Sequence, residues 1–168
     1  MMTTEFRTEE KQAILAGGCF WGVEHLMQQQ AGVLSVVSGY IGGALKDPSY
    51  EQICSKTTGH AEAVQITYNP LISDYETLLK LFFEIHDPTQ ADGQGPDLGP
   101  QYRSEIFYTT ERQAEIARKV IEELKTKGYD VKTKITPATT FYPAEAYHQD
   151  YYERKGSEPY CHFRVKRF

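Results

Sequence analysis

Three cysteines in 168 residues, Cys19, Cys54 and Cys161, are too few and too widely spaced for a disulfide framework or a zinc pattern. No apolar run approaches the length that spans a bilayer, so no membrane segment is expected. The opening stretch, MMTTEFRTEEKQAIL, lacks a basic segment followed by an apolar one, and no secretory signal is visible. Positive charge is in short supply as well. With 18 Lys and Arg against 23 Asp and Glu, the net charge of −5 argues against nucleic acid and acidic membrane surfaces as main partners. His60, His86 and His148 are scattered, and none has the i, i+4 partner of a metal-bearing helix, so no metal site is expected. Repeats, linkers and low-complexity tracts are missing too. Residues 1–168 therefore read as one domain, long enough to bury a core without staples. The expected setting is the reducing cytoplasm, where disulfides tend to be transient and catalytic.

What the chain does have is Gly17-Gly18-Cys19-Phe20-Trp21-Gly22. The apolar run before it reads as a short strand over residues 12–16. Residues 21–30 read as a helix, with Val23, Leu26 and Met27 spaced to face a core. Cys19 then sits where a strand turns into a helix, beside unpaired backbone N–H groups and the positive end of the helix dipole. That environment favours the thiolate, the nucleophilic form. A buried, inert cysteine in a tight turn is the plainer alternative. Phe20 and Trp21 offer far more apolar surface than a turn requires, which favours a nucleophile beside an apolar pocket.

The remaining elements follow in order. Strands are expected over residues 33–41, 61–68 and 102–108, with an edge strand over 129–136. Ser73 and Glu76 read as a capping box opening a helix to about His86, and Thr110 and Gln113 as a second one opening a helix through Lys127. Residues 50–55 are too short to assign. Residues 87–101, with three Pro and three Gly, read as a long functional loop. A last helix is expected over residues 144–154, and an alternating segment from Cys161 to Phe168. The order β-α-β-β-α-β predicts an α+β fold, a ferredoxin-like two-layer plait with a C-terminal helix and an irregular extension.

Two further places could carry chemistry. On the strand over residues 61–68, alternation puts Glu62 with Val64, Ile66 and Tyr68 on one face, which their bulk marks as buried. Burial raises a carboxyl pKa and keeps it protonated, as a general acid requires; at the strand end Glu62 could instead reach water. In the long loop, Asp97-Leu98-Gly99-Pro100-Gln101-Tyr102 combines a carboxylate, turn residues and a phenol.

Gly-Cys-Phe-Trp-Gly at 18–22 and Gly-His-Ala-Glu-Ala-Val at 59–64 resemble motifs of the peptide methionine sulfoxide reductases of the A type. DLGPQYRS at 97–104 and YPAEAYHQDY at 142–151 support the same family, and the match runs in order from about residue 12 to 161. The resemblance implies that Cys19, as thiolate, attacks the sulfur of a methionine S-sulfoxide, free or in a protein or peptide. Glu62 matches the acid that protonates the sulfoxide oxygen. Tyr50 and Tyr102 match tyrosines that hydrogen-bond that oxygen, with Asp97 in the same polar network. Phe20 and Trp21 match the walls around the methyl group. Methionine leaves, Cys19 becomes a sulfenic acid, a second cysteine condenses with it, and thioredoxin or another dithiol reduces the disulfide. No cofactor is expected beyond that external reductant, and a monomer is expected.

Residues alone leave rivals open. A cysteine hydrolase would need His60 or His148 as base; a thiol peroxidase would consume peroxide, and a binding scaffold would have no use for a Cys19–Glu62 pair. The second cysteine is also open. Cys161 matches the family by its place after the last helix and its preceding Tyr160, but its surroundings lack the usual glycines and alternate like a half-buried strand. Cys54, beside Ile53, reads as packed.

Overall fold

The computed structural model describes residues 11–54, 58–94, 97–149 and 164–168. Among the described residues, seven strands form one sheet: β1 (Lys11–Gly17), β2 (Val33–Ile41), β3 (Ala61–Tyr68), β4 (Asp92–Gln94), β5 (Asp97–Tyr108), β6 (Lys134–Pro137) and β7 (Tyr142–Pro143). The helices are α1 (Phe20–Gln28), α2 (Tyr50–Cys54), α3 (Tyr75–Ile85) and α4 (Glu111–Thr126), followed by a 3-10 turn at Ala146–His148. Strand order is β4-β5-β1-β3-β2-β7; β6 lies against β5 and is parallel to it, and the other pairings are antiparallel.

Alternation along the strands sorts side chains onto two faces. On one, Ala13, Leu15, Val36, Tyr40, Val64, Ile66 and Ile106 meet the apolar stripes of α1, α3 and α4 in the main core. On the other, Ile14, Ala16, Ile41, Ala61, Ala63 and Phe107 form a smaller cluster under Ala138 and Phe141. Glu62 is on the helix-covered face, as the alternation of β3 predicts, and is buried.

Several local expectations are corrected. The cap of α3 is Asp74, not Ser73: the Asp74 carboxylate accepts from the Thr77 N–H at 2.8 Å, and Ser73 lies one residue too early. The Thr110 cap holds, accepting from the Gln113 N–H at 3.2 Å. The expected loop over 87–101 contains a hairpin instead, because β5 begins at Asp97 and β4 pairs back on it. Only residues 134–136 of the expected edge strand over 129–136 join the sheet, and that strand runs on to Pro137. Residues 50–54 are helical. Of the expected last helix, the described residues contain only the 3-10 turn, and residues 150–154 lie outside them.

Cys161 and its two followers lie outside the described residues, but residues 164–168 do not form the expected strand. They are strapped across the end of α3 by Glu84, a buried carboxylate. It accepts from the Arg164 guanidinium at 2.8 Å and 2.7 Å and from the Arg167 N–H at 3.1 Å, while the Arg167 Nε–H donates to the Phe83 carbonyl. Charge pairing with the helix, not alternation, sets this segment's path.

Candidate active site

β1 ends on two glycines, each with a separate steric reason. A Cβ on Gly17 would stand 2.8 Å from the Phe82 ring and 3.0 Å from His86, so only glycine lets β1 pass the end of α3. Gly18 has φ 95°, a left-handed conformation that suits glycine and turns the chain sharply. Cys19 follows as the N-cap of α1, with extended backbone and a buried side chain. The turn therefore delivers the sulfur to the mouth of a helix, where backbone N–H groups converge.

The first of those N–H groups is already engaged. Phe20 N–H donates to Glu62 Oε1 at 3.2 Å, linking the residue after the cysteine to a carboxyl 42 positions away. Glu62 is 1% exposed, and its Oε2 has no hydrogen-bond partner among the described residues. Burial pushes its pKa from 4.5 up to about 8; the Phe20 N–H opposes this and the nearby Asp97 charge reinforces it. At neutral pH the group is thus mostly a carboxylic acid, with one oxygen anchored and the other available to give a proton. Asp97, at the start of β5, is near enough to act on Glu62 through space.

An aromatic wall adjoins this pair. Tyr50, at the start of α2, lies with its ring 6.5 Å from Phe20 and 6.2 Å from Trp21, both stacked. Phe20 also packs on Tyr40 at 5.6 Å, and Tyr40 lies directly across the β2–β3 pairing from Glu62. The structure thus brings together Cys19, Phe20, Trp21, Tyr50 and Glu62, with Asp97 within electrostatic reach. Tyr102 is half-buried on β5, on the same face as buried Ser104 and Ile106, which is the face that carries Glu62. Cys54 ends α2, and Cys161 lies outside the described residues.

Sequence reasoning missed three members. Tyr40 is fully buried and donates its hydroxyl to Glu145 Oε1 at 3.0 Å. Glu145 takes the Tyr50 N–H on its other oxygen at 2.9 Å, tying the start of α2 to the segment after β7. Burial alone would raise the Glu145 carboxyl, but the Tyr50 and Glu145 N–H groups, the Tyr40 hydroxyl and His148 together hold it below the usual carboxylate range. His148 is the third; it accepts the Trp21 indole N–H at 3.0 Å and packs on Tyr50 with ring centroids 4.4 Å apart. Its signal was present in the Tyr-His-Gln stretch at 147–149, but scattered histidines give no hint of a shared wall. His60 is committed elsewhere. Its Nδ1 accepts from Gly43 N–H at 3.0 Å and its Nε2 lies 2.6 Å from the Leu45 carbonyl, so it braces a loop. No group of three or more metal-ligating side chains is found among the described residues.

The profile of the family described as peptide methionine sulfoxide reductase matches residues 11–168. Curated relatives include peptide methionine sulfoxide reductase MsrA 1 of Rhodopirellula baltica, 54% identical over 156 residues, covering 92% of this chain and 81% of that one. The MsrA of Thermus thermophilus is 51% identical over 157 residues, covering 93% and 89%. Among solved structures, Mxr1 of Saccharomyces cerevisiae in reduced form superposes with a TM-score of 0.88 at 35% identity, over 93% of this chain and 92% of that one. The same yeast protein in complex with Trx2 matches with a TM-score of 0.63 at 28% identity, over 93% and 90%.

Proposed function

The chain belongs to the peptide methionine sulfoxide reductases of the A type, and from this premise we propose how its residues carry out the reduction. The substrate is the S epimer of methionine sulfoxide, free or within an oxidised protein. Its S-methyl group lies against Phe20 and Trp21, and its oxygen points at Glu62. Cys19 thiolate attacks the sulfoxide sulfur while Glu62 Oε2 gives its proton to the oxygen. The S–S bond made by that attack and the original S–O bond then both break as the protonated oxygen passes to the cysteine sulfur; two electrons are left on the substrate sulfur, methionine leaves and Cys19 carries the oxygen as a sulfenic acid. Tyr50 and Tyr102 steady the oxygen, and Asp97 helps to hold Glu62 protonated.

The observation that carries this reading is the Glu62 carboxyl itself, buried, raised to about 8, fixed through one oxygen to Phe20 N–H and unengaged at the other. A hydrolase has less support: His60 is bound into a loop, and His148 already accepts from Trp21. A protonated carboxyl beside a thiolate suits a step that must turn an S=O oxygen into a leaving group. We read the sheet core as a ferredoxin-like plait, with β5-β1-β3-β2 as its four strands. The same reading makes residues 1–168 a single monomeric domain in the cytoplasm that uses no bound cofactor.

Trp21→Ala tests the wall. Removing the indole should raise KM and lower kcat/KM for the S-sulfoxide by roughly tenfold or more, the cost of losing most of a half-buried aromatic wall. Steady-state kinetics on separated epimers measures it, and an unchanged preference for S over R would place the pocket elsewhere.

Recycling is read as condensation of the Cys19 sulfenate with Cys161, releasing water and forming a disulfide that thioredoxin's dithiol reduces. The thioredoxin complex of the yeast relative supports that partner. After one turnover without reductant, peptide mapping should recover Cys19 joined to Cys161. Recovery of Cys19 joined to Cys54, or of a lasting sulfenate, would overturn this assignment.

A further inference from the structure

Arg103 has no part in the chemistry above, yet its guanidinium is bonded at all three of its nitrogens. It stands next to Tyr102 on β5 but reaches to the other face of the sheet, where it meets Gly42 beside the Phe107 ring. Its Nε–H donates to Glu105 Oε1 at 2.6 Å, and the other Glu105 oxygen accepts from the Thr136 hydroxyl of β6. Nη1 donates to the Pro100 carbonyl and Nη2 to the Gly59 carbonyl, each at 3.0 Å. Gly42, just past β2, clears the way for this reach: a Cβ there would stand 2.9 Å from Nη2. Glu105 is buried and the Arg103 side chain largely so, which shelters these charge-assisted bonds from water.

The two carbonyls belong to the segments that present the reacting groups. Gly59 lies three residues before Glu62, in the turn that feeds β3, and Pro100 lies between Asp97 and Tyr102. β4 pairs Gly93 with Leu98 and then Asp92 with Arg103, so residues 99–102 bulge out of that ladder. The β1 pairing stops at Ser104. Other bonds must therefore set the path of the bulge, and the Nη1 bond to the Pro100 carbonyl is one of them. A guanidinium is planar and holds its donors at fixed angles, so one bonded to both carbonyls fixes their separation. We propose that Arg103 is a positioning residue that ties the Asp97–Tyr102 bulge to the turn before Glu62, and so sets the geometry of the groups around the sulfoxide oxygen. The proposal rests on Glu62 being the proton donor. Arg103 does not touch the reacting atoms; it works from the opposite face of the sheet.

Arg103→Lys keeps the positive charge beside Glu105 but replaces the fork by one point donor, which cannot hold both carbonyls. Single-turnover methionine release from an S-sulfoxide peptide at saturation should fall roughly ten- to a hundredfold, the scale of a misplacement of about 1 Å. KM should change little, because Phe20 and Trp21 are untouched. The pH profile supplies a readout that a merely structural role would not move. In the parent protein the rate falls above about 8. With Asp97 free to draw away and water admitted to Glu62, both changes lower the carboxyl pKa, so the falling limb should move to lower pH. The Phe20 N–H from α1 and Tyr40 across from Glu62 on β2 are common to parent and variant. Glu105→Gln is the contrast. It removes the charge pair but leaves an oxygen to accept from Nε, so stability should drop while the limb and the single-turnover rate stay close to the parent's. An unmoved limb in Arg103→Lys, or the same rate loss in Glu105→Gln, would overturn the proposal. If Glu62→Gln slows the reaction and Arg103→Lys does not, only the arginine's role falls. If Glu62→Gln changes nothing, the acid reading falls and this proposal with it. The unmodified protein supplies a check that needs no variant: nitrogen-15 spectra should show separate Nη1 and Nη2 resonances for Arg103, because its three acceptors stop the guanidinium from rotating. A single averaged Nη resonance would contradict it.

Discussion

Cys19→Ser is expected to abolish sulfoxide reduction while the protein remains folded. Serine matches the cysteine in shape at the N-cap of α1, and a serine oxygen is a preferred cap, so the turn after Gly18 keeps its stability. The chemistry does not survive the exchange. A hydroxyl at neutral pH is almost wholly protonated and a poor nucleophile toward sulfur, and it cannot take up an oxygen atom as a sulfenic acid does. The expected result is a circular dichroism spectrum like that of the parent protein, with methionine production from an S-sulfoxide peptide below detection. Turnover by a folded Cys19→Ser protein would remove the nucleophile from the scheme.

Glu62→Gln should have the second-largest effect, and its pH dependence is as informative as its size. General acid catalysis contributes about 10²–10⁴-fold, and an amide has no proton to give. In the parent protein, burial holds the Glu62 carboxyl protonated to about 8, so single-turnover methionine release should be level through neutrality and fall above that value. The Gln variant should be slow throughout, with its deficit greatest near neutrality and narrowing above 8, where the parent loses its own acid. Stability should move the opposite way. The folded protein keeps the Glu62 proton to about 8, whereas an ordinary glutamate releases it near 4.5. Between those values the folded state binds the extra proton, so stability is greatest below the lower value and falls as pH rises toward the upper one. The limiting slope for one such group is about 1.4 kcal/mol per pH unit. Glutamine resembles the protonated form and should remove that slope, so denaturation of the variant near pH 8 should show a gain in stability where catalysis shows a loss. A variant with the parent's rates and the parent's slope would make Glu62 structural.

Both outcomes trace to residues whose placement was largely legible from local rules. Alternation along 61–68 is a strong signal, because Val64, Ile66 and Tyr68 leave no other face for Glu62 to share, and the structure buries all four. The strand-to-helix turn at Cys19 was legible from two glycines followed by an amphipathic stretch. Tyr50 was reached only through the family resemblance, since an isolated tyrosine carries no periodicity, whereas Tyr102 was marked beforehand by the carboxylate and turn residues of the 97–102 stretch. The wall formed by Tyr40, Glu145 and His148 was not legible as a wall, although Glu145 and His148 stand in the YPAEAYHQDY stretch. It depends on β7 pairing with the edge of β2, a contact between residues some 100 positions apart that two residues of strand cannot announce. The cap of α3 misled for a physical reason: Ser73 and Asp74 are both good cap residues, and only the backbone decides which one meets the Thr77 N–H. At the carboxyl end the alternation of Phe163, Val165 and their neighbours suggested a strand. A buried carboxylate at Glu84 holds Arg164 and Arg167 instead, and no local pattern in the tail points to a partner 80 residues earlier.

The central claim is that the Cys19 sulfur takes the oxygen of an S-sulfoxide with a proton from Glu62. Its most direct test is a single-turnover reaction of a Cys161→Ser protein without reductant, quenched into a sulfenate-trapping dione and read by intact mass and peptide mapping. The account predicts close to one methionine released per protein from the S epimer, almost none from the R epimer, and one trapped adduct located on Cys19. Equal release from both epimers, or methionine formed with no adduct on Cys19, would contradict it.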